Sequence, residues 1–476
     1  LPWGGGVLIN VAREFILGLF VFQPFISGER FVGEKSALIL QDLGDGLIIR
    51  RAAAADAERV AAFNARIHGE DPFDEVAVAE WTRDLMRGQH PTFCPEDCLI
   101  VENTATGEIV SSMNIIPQTW SYEGIPFKVG RPELVGTDDK YRNRGLVRKQ
   151  FDIIHEWSRQ RGDLVQVITG IPYYYRQFGY EMALTLGGGR FGGEPHVPAL
   201  GEGEEEPYLF RPPTEADLPF LMRIYERECR RSMVSAVRDE KIWRNECFEK
   251  SRENVNRVDI RIIETREGKP VGYIAHPWFS WGPNQVATRY ELDEGVSYLA
   301  VTPSVIRYLW NVGTENAKVR QMKLSGFGFG LIDDHPVYQV AENRLPVKGF
   351  AYAFYVRVPN LTAFLRHIAP VLEARLQSSP FAGYTGELKV SFYRGGVRLV
   401  FKEGALETVE DWKPVIRTDE GAAAFPNQTF LQVVFGYRSP GEIYHIYPDC
   451  QVRNQEARLL LNTIFPKKAS SVWAVS

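Results

Sequence analysis

A weak internal repeat constrains this chain more than any other feature of its sequence. Arg50, Ala55 and Asp56 recur as Arg211, Ala216 and Asp217, and Gly107 and Val110 recur as Gly268 and Val271, all at an offset of 161. Two separated matches at one offset are harder to reach by chance than either alone, and self-similarity of this kind is what a duplicated domain leaves behind. The acidic, glycine-rich stretch 201–206 between the copies cannot pack or pair with itself and reads as a solvated connector. A chain of 476 residues also exceeds the roughly 250 to 300 at which one hydrophobic core stops growing. The expectation is three domains, residues 45–200, 206–350 and 351–476, after an N-terminal appendage, residues 1–44, set aside from the fold argument.

Each copy reads in the same order: a short strand, a helix begun by an aspartate, then a hairpin. Asp56 is expected to cap the first helix by accepting from its first-turn amides, and Val60, Phe63 and Ile67 follow at helical spacing. Residues 98–102 and 108–116 flank the turn-forming Thr104-Ala105-Thr106-Gly107. A short strand over 134–137 follows. Leu146, Gln150, Phe151, Ile154 and Trp157 then mark one face of a helix that stops near Gly162, before a strand over 164–169. This alternation implies mixed sheets with helices on their faces, an α/β arrangement. From about Ala351 the pattern changes to a helix over 361–376, strands over 388–393 and 397–402, and a last helix over 456–465, an α+β domain.

Composition narrows the function classes. A formal charge of −5 argues against a dedicated nucleic-acid binder, which carries a basic face. The five cysteines are an odd, scattered set and fit a reducing cytoplasm better than a disulfide framework. Cys94 and Cys98 form a C-x3-C pair without a second pair at zinc-ligand spacing, so no metal is expected. The apolar run Phe15–Ile26 is twelve residues long, short of the roughly 20 needed to span a bilayer, so no membrane span is expected. It has the length of a signal-peptide core, but the neutral Arg13-Glu14 pair precedes it and no small-residue cleavage site follows before Gly28. The eight histidines form no H-x-x-x-H pair, and no serine or cysteine stands in a nucleophile elbow.

The segment from Val135, Gly136 and Thr137 to Val147 joins a strand to a helix through a basic turn. The first amides of a helix have no internal partner and carry the positive end of the macrodipole, so this turn suits a pyrophosphate. Gly145 lets the ligand approach the backbone, and Arg142, Arg144 and Arg148 add charge. The run Arg142-Asn143-Arg144-Gly145-Leu146-Val147 resembles the acyl-CoA signature [RQ]-x-x-G-x-[GA] of the GNAT acetyltransferases, with valine in place of the last small residue. Further on, Gly170-Ile171 leads into Tyr175-Arg176-Gln177-Phe178-Gly179-Tyr180, a Y-x-x-F-G-Y segment that resembles the enhanced-intracellular-survival acetyltransferase family. That family tolerates a larger residue at the end of the loop.

The resemblance implies two fused GNAT-like mixed-sheet domains, the second without a cofactor loop, followed by a sterol-carrier-protein-like α+β domain. Position 306, where the repeat puts the loop glycine, is isoleucine. It further implies a homo-oligomer and an acetyl-CoA-dependent N-acetyltransferase acting on a primary amine of a small molecule or on an exposed lysine. Val135 and Thr137 would hold the pantetheine arm, Asn143 to Arg148 the phosphates, and Gly170 with Ile171 would lie against the cofactor. Tyr175 matches the general acid. The proton acceptor is either the carboxylate of Ser476, since the family's terminal carboxylate reaches the first domain, or Glu133, since many GNAT enzymes place a glutamate on that strand. The alternative reading is a non-enzymatic acyl-CoA or lipid-binding protein that uses an apolar cavity in the third domain.

Overall fold

A computed structural model describes residues 39–280, 282–426 and 428–476; the apolar run Phe15–Ile26 lies outside them. The chain enters through a hairpin, β1 (Ile39–Gly44) and β2 (Leu47–Arg51), turning at Asp45 and Gly46. β1 falls inside the segment that the sequence reading set aside. Its side chains are mostly exposed, so backbone pairing rather than apolar burial holds it, and no periodicity marks it. Asp56 also departs from expectation. Residues 54–56 form a short 3-10 turn ahead of the helix, so the carboxylate turns back to accept from the Ala53 amide at 3.0 Å instead of capping forward.

Then come α1 (Ala57–His68), α2 (Pro72–Met86), β3 (Cys98–Asn103), β4 (Ile109–Tyr122), β5 (Ile125–Thr137), α3 (Leu146–Arg161), β6 (Val165–Ile168) and β7 (Glu181–Gly187). Strands β1 to β5 pair antiparallel in sequence order, and β6 joins β5 in parallel. The apolar stripe of α3, including Leu146, Phe151, Ile154 and Trp157, packs on one face of this sheet with Ile49, Leu99, Val101, Met113 and Ile115. Val60 and Phe63 of α1 and Trp81 and Leu85 of α2 cover the other face with Ile100, Ile116 and Leu134. The sheet therefore lies between two separately packed layers.

The next stretch comprises β8 (Arg190–Gly193), β9 (Tyr208–Arg211), α4 (Leu218–Arg231), β10 (Val234–Ala236), α5 (Glu240–Arg244), β11 (Val258–Thr265), β12 (Pro270–Pro277), β13 (Asn284–Ala287), β14 (Arg289–Leu292), α6 (Tyr298–Val319), β15 (Gly326–Phe329), α7 (Val337–Val340) and β16 (Val347–Lys348). Most of its strands form two four-stranded sheets, β14-β12-β11-β9 and β13-β15-β8-β16. β10 instead pairs with β4, Ala236 opposite Trp120, at the outer end of the first sheet. Positions 303–308, which the repeat aligns with the basic turn, lie within α6, and Ile306 is fully buried there.

The remainder runs β17 (Ala351–Arg357), α8 (Leu361–His367), α9 (Ala369–Gln377), β18 (Gly386–Ser391), β19 (Gly396–Lys402), β20 (Ala405–Trp412), β21 (Ala423–Ala424), α10 (Phe430–Val434), α11 (Pro440–Ile446), β22 (Gln451–Val452) and α12 (Gln455–Ile464). The single helix expected over 361–376 is broken at Ile368, because Pro370 lacks the amide a continuous helix needs. β17 does not open a separate sheet. It inserts between β6 and β7 and is antiparallel to both. The last sheet, β20-β19-β18-β21-β22, fills its inner face with Leu388, Val390, Val397, Leu399 and Phe401 against Phe425, Phe430, Leu460 and Leu461. The whole is a mixed α/β fold with several sheets.

Candidate active site

The first sheet comes apart at one seam. β5 and β6 pair only at Val129 with Val165 and Gly130 with Gln166, although β5 continues to Thr137 and β6 to Ile168. A bulge causes the separation. Glu133 stands opposite Asn114 and Gly136 opposite Ser112, so Leu134 and Val135 share Met113, and Leu134 has φ 51°. A bulge bends and twists the strand that carries it. The facing edges beyond Gly130 are left as a notch whose backbone groups need partners from elsewhere.

One end of the notch meets the basic turn. The Asp138 side chain accepts from the Lys140 amide at 3.0 Å, a 3-10 turn covers 139–141, and Asn143 and Gly145 adopt left-handed φ of 63° and 73°. Gly145 is the residue before α3, a position where a side chain would be strained. The Lys149 amide donates to the Gly145 carbonyl at 3.1 Å, so the amides of Leu146, Val147 and Arg148 precede the first helical bond and remain available to an anion. Arg142, Asn143, Arg144, Gly145 and Arg148 are exposed, whereas Leu146 is buried and Val147 half-buried in the core of α3. Arg142 is paired with Asp139 at 2.6 Å, Arg148 donates to Gln177 at 2.9 Å, and Arg144 lies 5.0 Å above the Tyr141 ring.

Tyr175 and Glu133 flank the middle of the notch. Tyr175 is buried, with Phe151, Tyr174, Tyr180 and Tyr355 around its ring. A Cβ placed on Gly170 would stand 3.8 Å from the Tyr175 hydroxyl, and Gly170 itself has φ 117°. Among the described residues that hydroxyl has no hydrogen-bond partner. Burial, and then the charge of Glu133, hold Tyr175 well above the usual tyrosine range, so it stays protonated. The Glu133 side chain is largely buried. Burial raises its pKa, opposed by Arg131 at 2.7 Å and by the Thr169 hydroxyl across the seam.

Residues 49–183 match the family model of an acetyltransferase (GNAT) domain. The chain carries a GNAT acetyltransferase domain. The protein is accordingly an enzyme of the acyltransferase class. No curated protein matches it. Among solved structures it is similar to a GCN5-related N-acetyltransferase from Kribbella flavida, at 15% identity and a TM-score of 0.59 over 90% of this chain and 98% of that one. It is also similar to a GCN5-related N-acetyltransferase from Anabaena variabilis, at 14% and 0.57 over 90% and 99%. Eis1 from Mycobacterium abscessus matches at 14% and 0.56, also over 90% and 99%. At these identities the likeness shows a shared fold.

The GNAT domain brings Val135, Gly136 and Thr137, the turn 142–148, Gly170 with Ile171, Glu133 and Tyr175 to one seam of its sheet. The tail reaches it from far along the chain. The Val475 carbonyl accepts from Gln118 Nε2 at 2.8 Å and from Arg131 Nη1 at 3.0 Å, and Arg131 in turn holds Glu133. Ser476 is buried beside Lys250, its hydroxyl 3.4 Å from that ammonium. Sequence reasoning missed Gln118, Arg131, Lys250 and the network behind them. No local signal marks their part in holding the tail, since their partners Val475 and Ser476 stand hundreds of positions away and only folding sets the spacing.

Proposed function

We propose that the protein is an acetyl-CoA-dependent N-acetyltransferase that moves an acetyl group directly to a primary amine of a small molecule or an exposed lysine. The observation that carries this reading is the notch, with free helix amides at one end and a protonated tyrosine facing a buried carboxylate at its middle. The amides of Leu146 to Arg148, with Arg142 and Arg144, suit the phosphates, and the unpaired edge from Val135 to Thr137 suits the amides of the pantetheine arm. Gly145 leaves the backbone open to close approach, whereas a side chain at Gly136 would meet Ile67 of α1. Gly170 and Ile171 line the opposite edge.

A lysine-like amine with a pKa near 10.4 is neutral in about one molecule in two thousand at pH 7, so a proton acceptor matters. In this mechanism Glu133 takes the amine proton as nitrogen attacks the thioester carbon. Tyr175 gives its proton to the sulfur as the carbon–sulfur bond breaks, leaving an amide and a free thiol. Ser476 follows Val475, whose carbonyl accepts from the same Arg131 that pairs with Glu133, so a carboxylate at that residue is the second candidate for the acceptor. Appending a short Gly-Ser extension after Ser476 separates the two: turnover survives if Glu133 is the base.

We further read residues 206–350 as a GNAT-like copy without a cofactor loop, because α6 runs unbroken through 303–308, and residues 351–476 as a sterol-carrier-like part that adds a strand and the tail. All five cysteines are free thiols, which suits a reducing, cytoplasmic setting. Among the described residues no helix is long and apolar enough to cross a membrane. A thiol-release assay with acetyl-CoA and a panel of primary amines tests the reading: amine-dependent release supports it, and none with any amine alongside lipid capture overturns it.

A further inference from the structure

The segment Gly170–Tyr175 carries the proposed acid, yet its own strand does not hold it. β6 has parted from β5 before this point, and pairing with β17 ends at Ile168 opposite Tyr355. The backbone beyond is unusual at two places: Gly170 has φ 117°, and Tyr173 has φ 68° although it is not glycine and its side chain is largely exposed. A segment in such conformations needs external contacts to stay in one arrangement. Those contacts come from β17. The Tyr352 hydroxyl donates to the Gly170 carbonyl, the Tyr355 hydroxyl donates to the Ile171 carbonyl at 3.3 Å, and the Tyr355 ring packs at 5.4 Å on that of Tyr175.

We infer that Tyr352 and Tyr355 are positioning residues, a clamp from a strand about 180 positions downstream that fixes Gly170–Tyr175 so that the Tyr175 hydroxyl faces the notch. The inference rests on the reading of Tyr175 as the acid. It gives the inserted strand β17 a part in the reaction beyond completing the sheet. Rate falls steeply with small displacements of a catalytic group, about 100-fold for roughly 1 Å. Loss of the clamp therefore acts on turnover while the phosphate turn, built elsewhere, keeps its hold on CoA.

The test is a double-mutant cycle. Tyr352→Phe and Tyr355→Phe keep the rings and remove only the hydroxyls. Together they should lower kcat about 10-fold, leave the affinity for CoA within about 2-fold, and add no further loss in a Tyr175→Phe background. An equal loss in that background, or an undiminished kcat, overturns the clamp. A second readout is independent of activity: amide hydrogen exchange across 169–178 should speed up in the double variant while that of α3 stays unchanged. If no amine supports transfer, the functional reading fails alone, and exchange still decides the clamp; unchanged exchange across 169–178 overturns it.

Discussion

Arg211 closes on Asp217 through two parallel hydrogen bonds, Nη1 to Oδ2 at 2.7 Å and Nη2 to Oδ1 at 2.9 Å, while its Nε donates to Glu264 at 2.7 Å. Arg50 makes the same fork on Asp56 at 2.7 and 2.8 Å, with its Nε on Glu102 at 2.8 Å. In each case the arginine is one of the last two residues of a strand, the aspartate precedes a helix, and the glutamate lies on the neighbouring strand. The pair that repeats in the sequence is thus a repeated joint.

That joint yields a prediction about acid stability. The hydrogen bonds from Arg211 pull the Asp217 carboxyl down to about 2, below the roughly 3.9 of an unfolded aspartate. A depressed carboxylate stabilises the fold above its unfolded pKa, and that contribution is lost as pH falls from about 4 through 2. Arg211 is partly solvent-exposed, so the effect is modest, about 1 kcal/mol. Asp217→Asn should lower the melting midpoint at pH 7 and lose less of it than the parent between pH 4 and 2. Equal slopes in a thermal scan series would remove Asp217 from the acid response.

Tyr175→Phe should lower turnover by about 10- to 10,000-fold. Because burial keeps its hydroxyl protonated well past the usual tyrosine range, the rate should show no descending limb from this group below about pH 10. A full-rate variant, measured by thiol release, returns Tyr175 to a packing role.

Glu133 should govern the acidic side. Burial raises its pKa above the ordinary carboxylate range, and the base works only when ionised, so activity should fall as pH drops through that raised value. Glu133→Gln should cost about 100-fold in kcat and erase this limb. A variant that keeps the limb would transfer the role to the end of the tail.

Much of this was legible beforehand where the signal is local. The stripe of α3, its stop at Gly162 and the glycine at its start are written in periodicity and turn chemistry, and each appears as read. β1 was missed because a solvent-facing edge strand carries no apolar alternation. The insertion of β17 was missed because strand order is set by packing among distant segments, and Ala351–Arg357 looks the same in any sheet. Gln118 and Arg131 were missed for a similar reason, since their partner Val475 lies 357 and 344 positions away.

The anion end of the notch makes a prediction about binding alone. Among the described residues Arg144 contacts only the Tyr141 ring by charge, so it can turn to a phosphate. Arg144→Ala should weaken CoA binding about 10-fold and flatten its salt dependence. Gly145→Ala meets no atom within 4 Å of the new Cβ, yet its φ of 73° puts a side chain in a strained region. Its effect should therefore appear as a shifted turn and weaker CoA binding, with the α3 core intact. Calorimetric titration with CoA checks both, and unchanged affinity in both removes the turn from the site.

The last prediction concerns how the tail is held. Arg238, Glu246 and Lys250 are almost wholly buried and joined at 2.6 and 2.9 Å, and Arg238 also donates to the Trp473 carbonyl at 2.7 Å with its guanidinium 4.1 Å over the Trp473 ring. Burial pushes the Glu246 carboxyl up, but Lys250 and Arg238 more than offset this and hold it below the usual range. Removing Arg238 leaves Glu246 paired with Lys250 alone and strips the Trp473 carbonyl of its donor in a dry interior, which costs about 1 to 3 kcal/mol. Arg238→Met should therefore lower the melting midpoint by about 5 °C. It should also release residues 473–476, exposing their backbone to protease while the phosphate turn still binds CoA. Arg238→Lys keeps the charge but not the planar fork that reaches Glu246 and Trp473 together, and should restore stability in part without restoring the tail. Full recovery of both by lysine would show that charge alone anchors the tail, and an unchanged midpoint in Arg238→Met would show that the network does not anchor it at all.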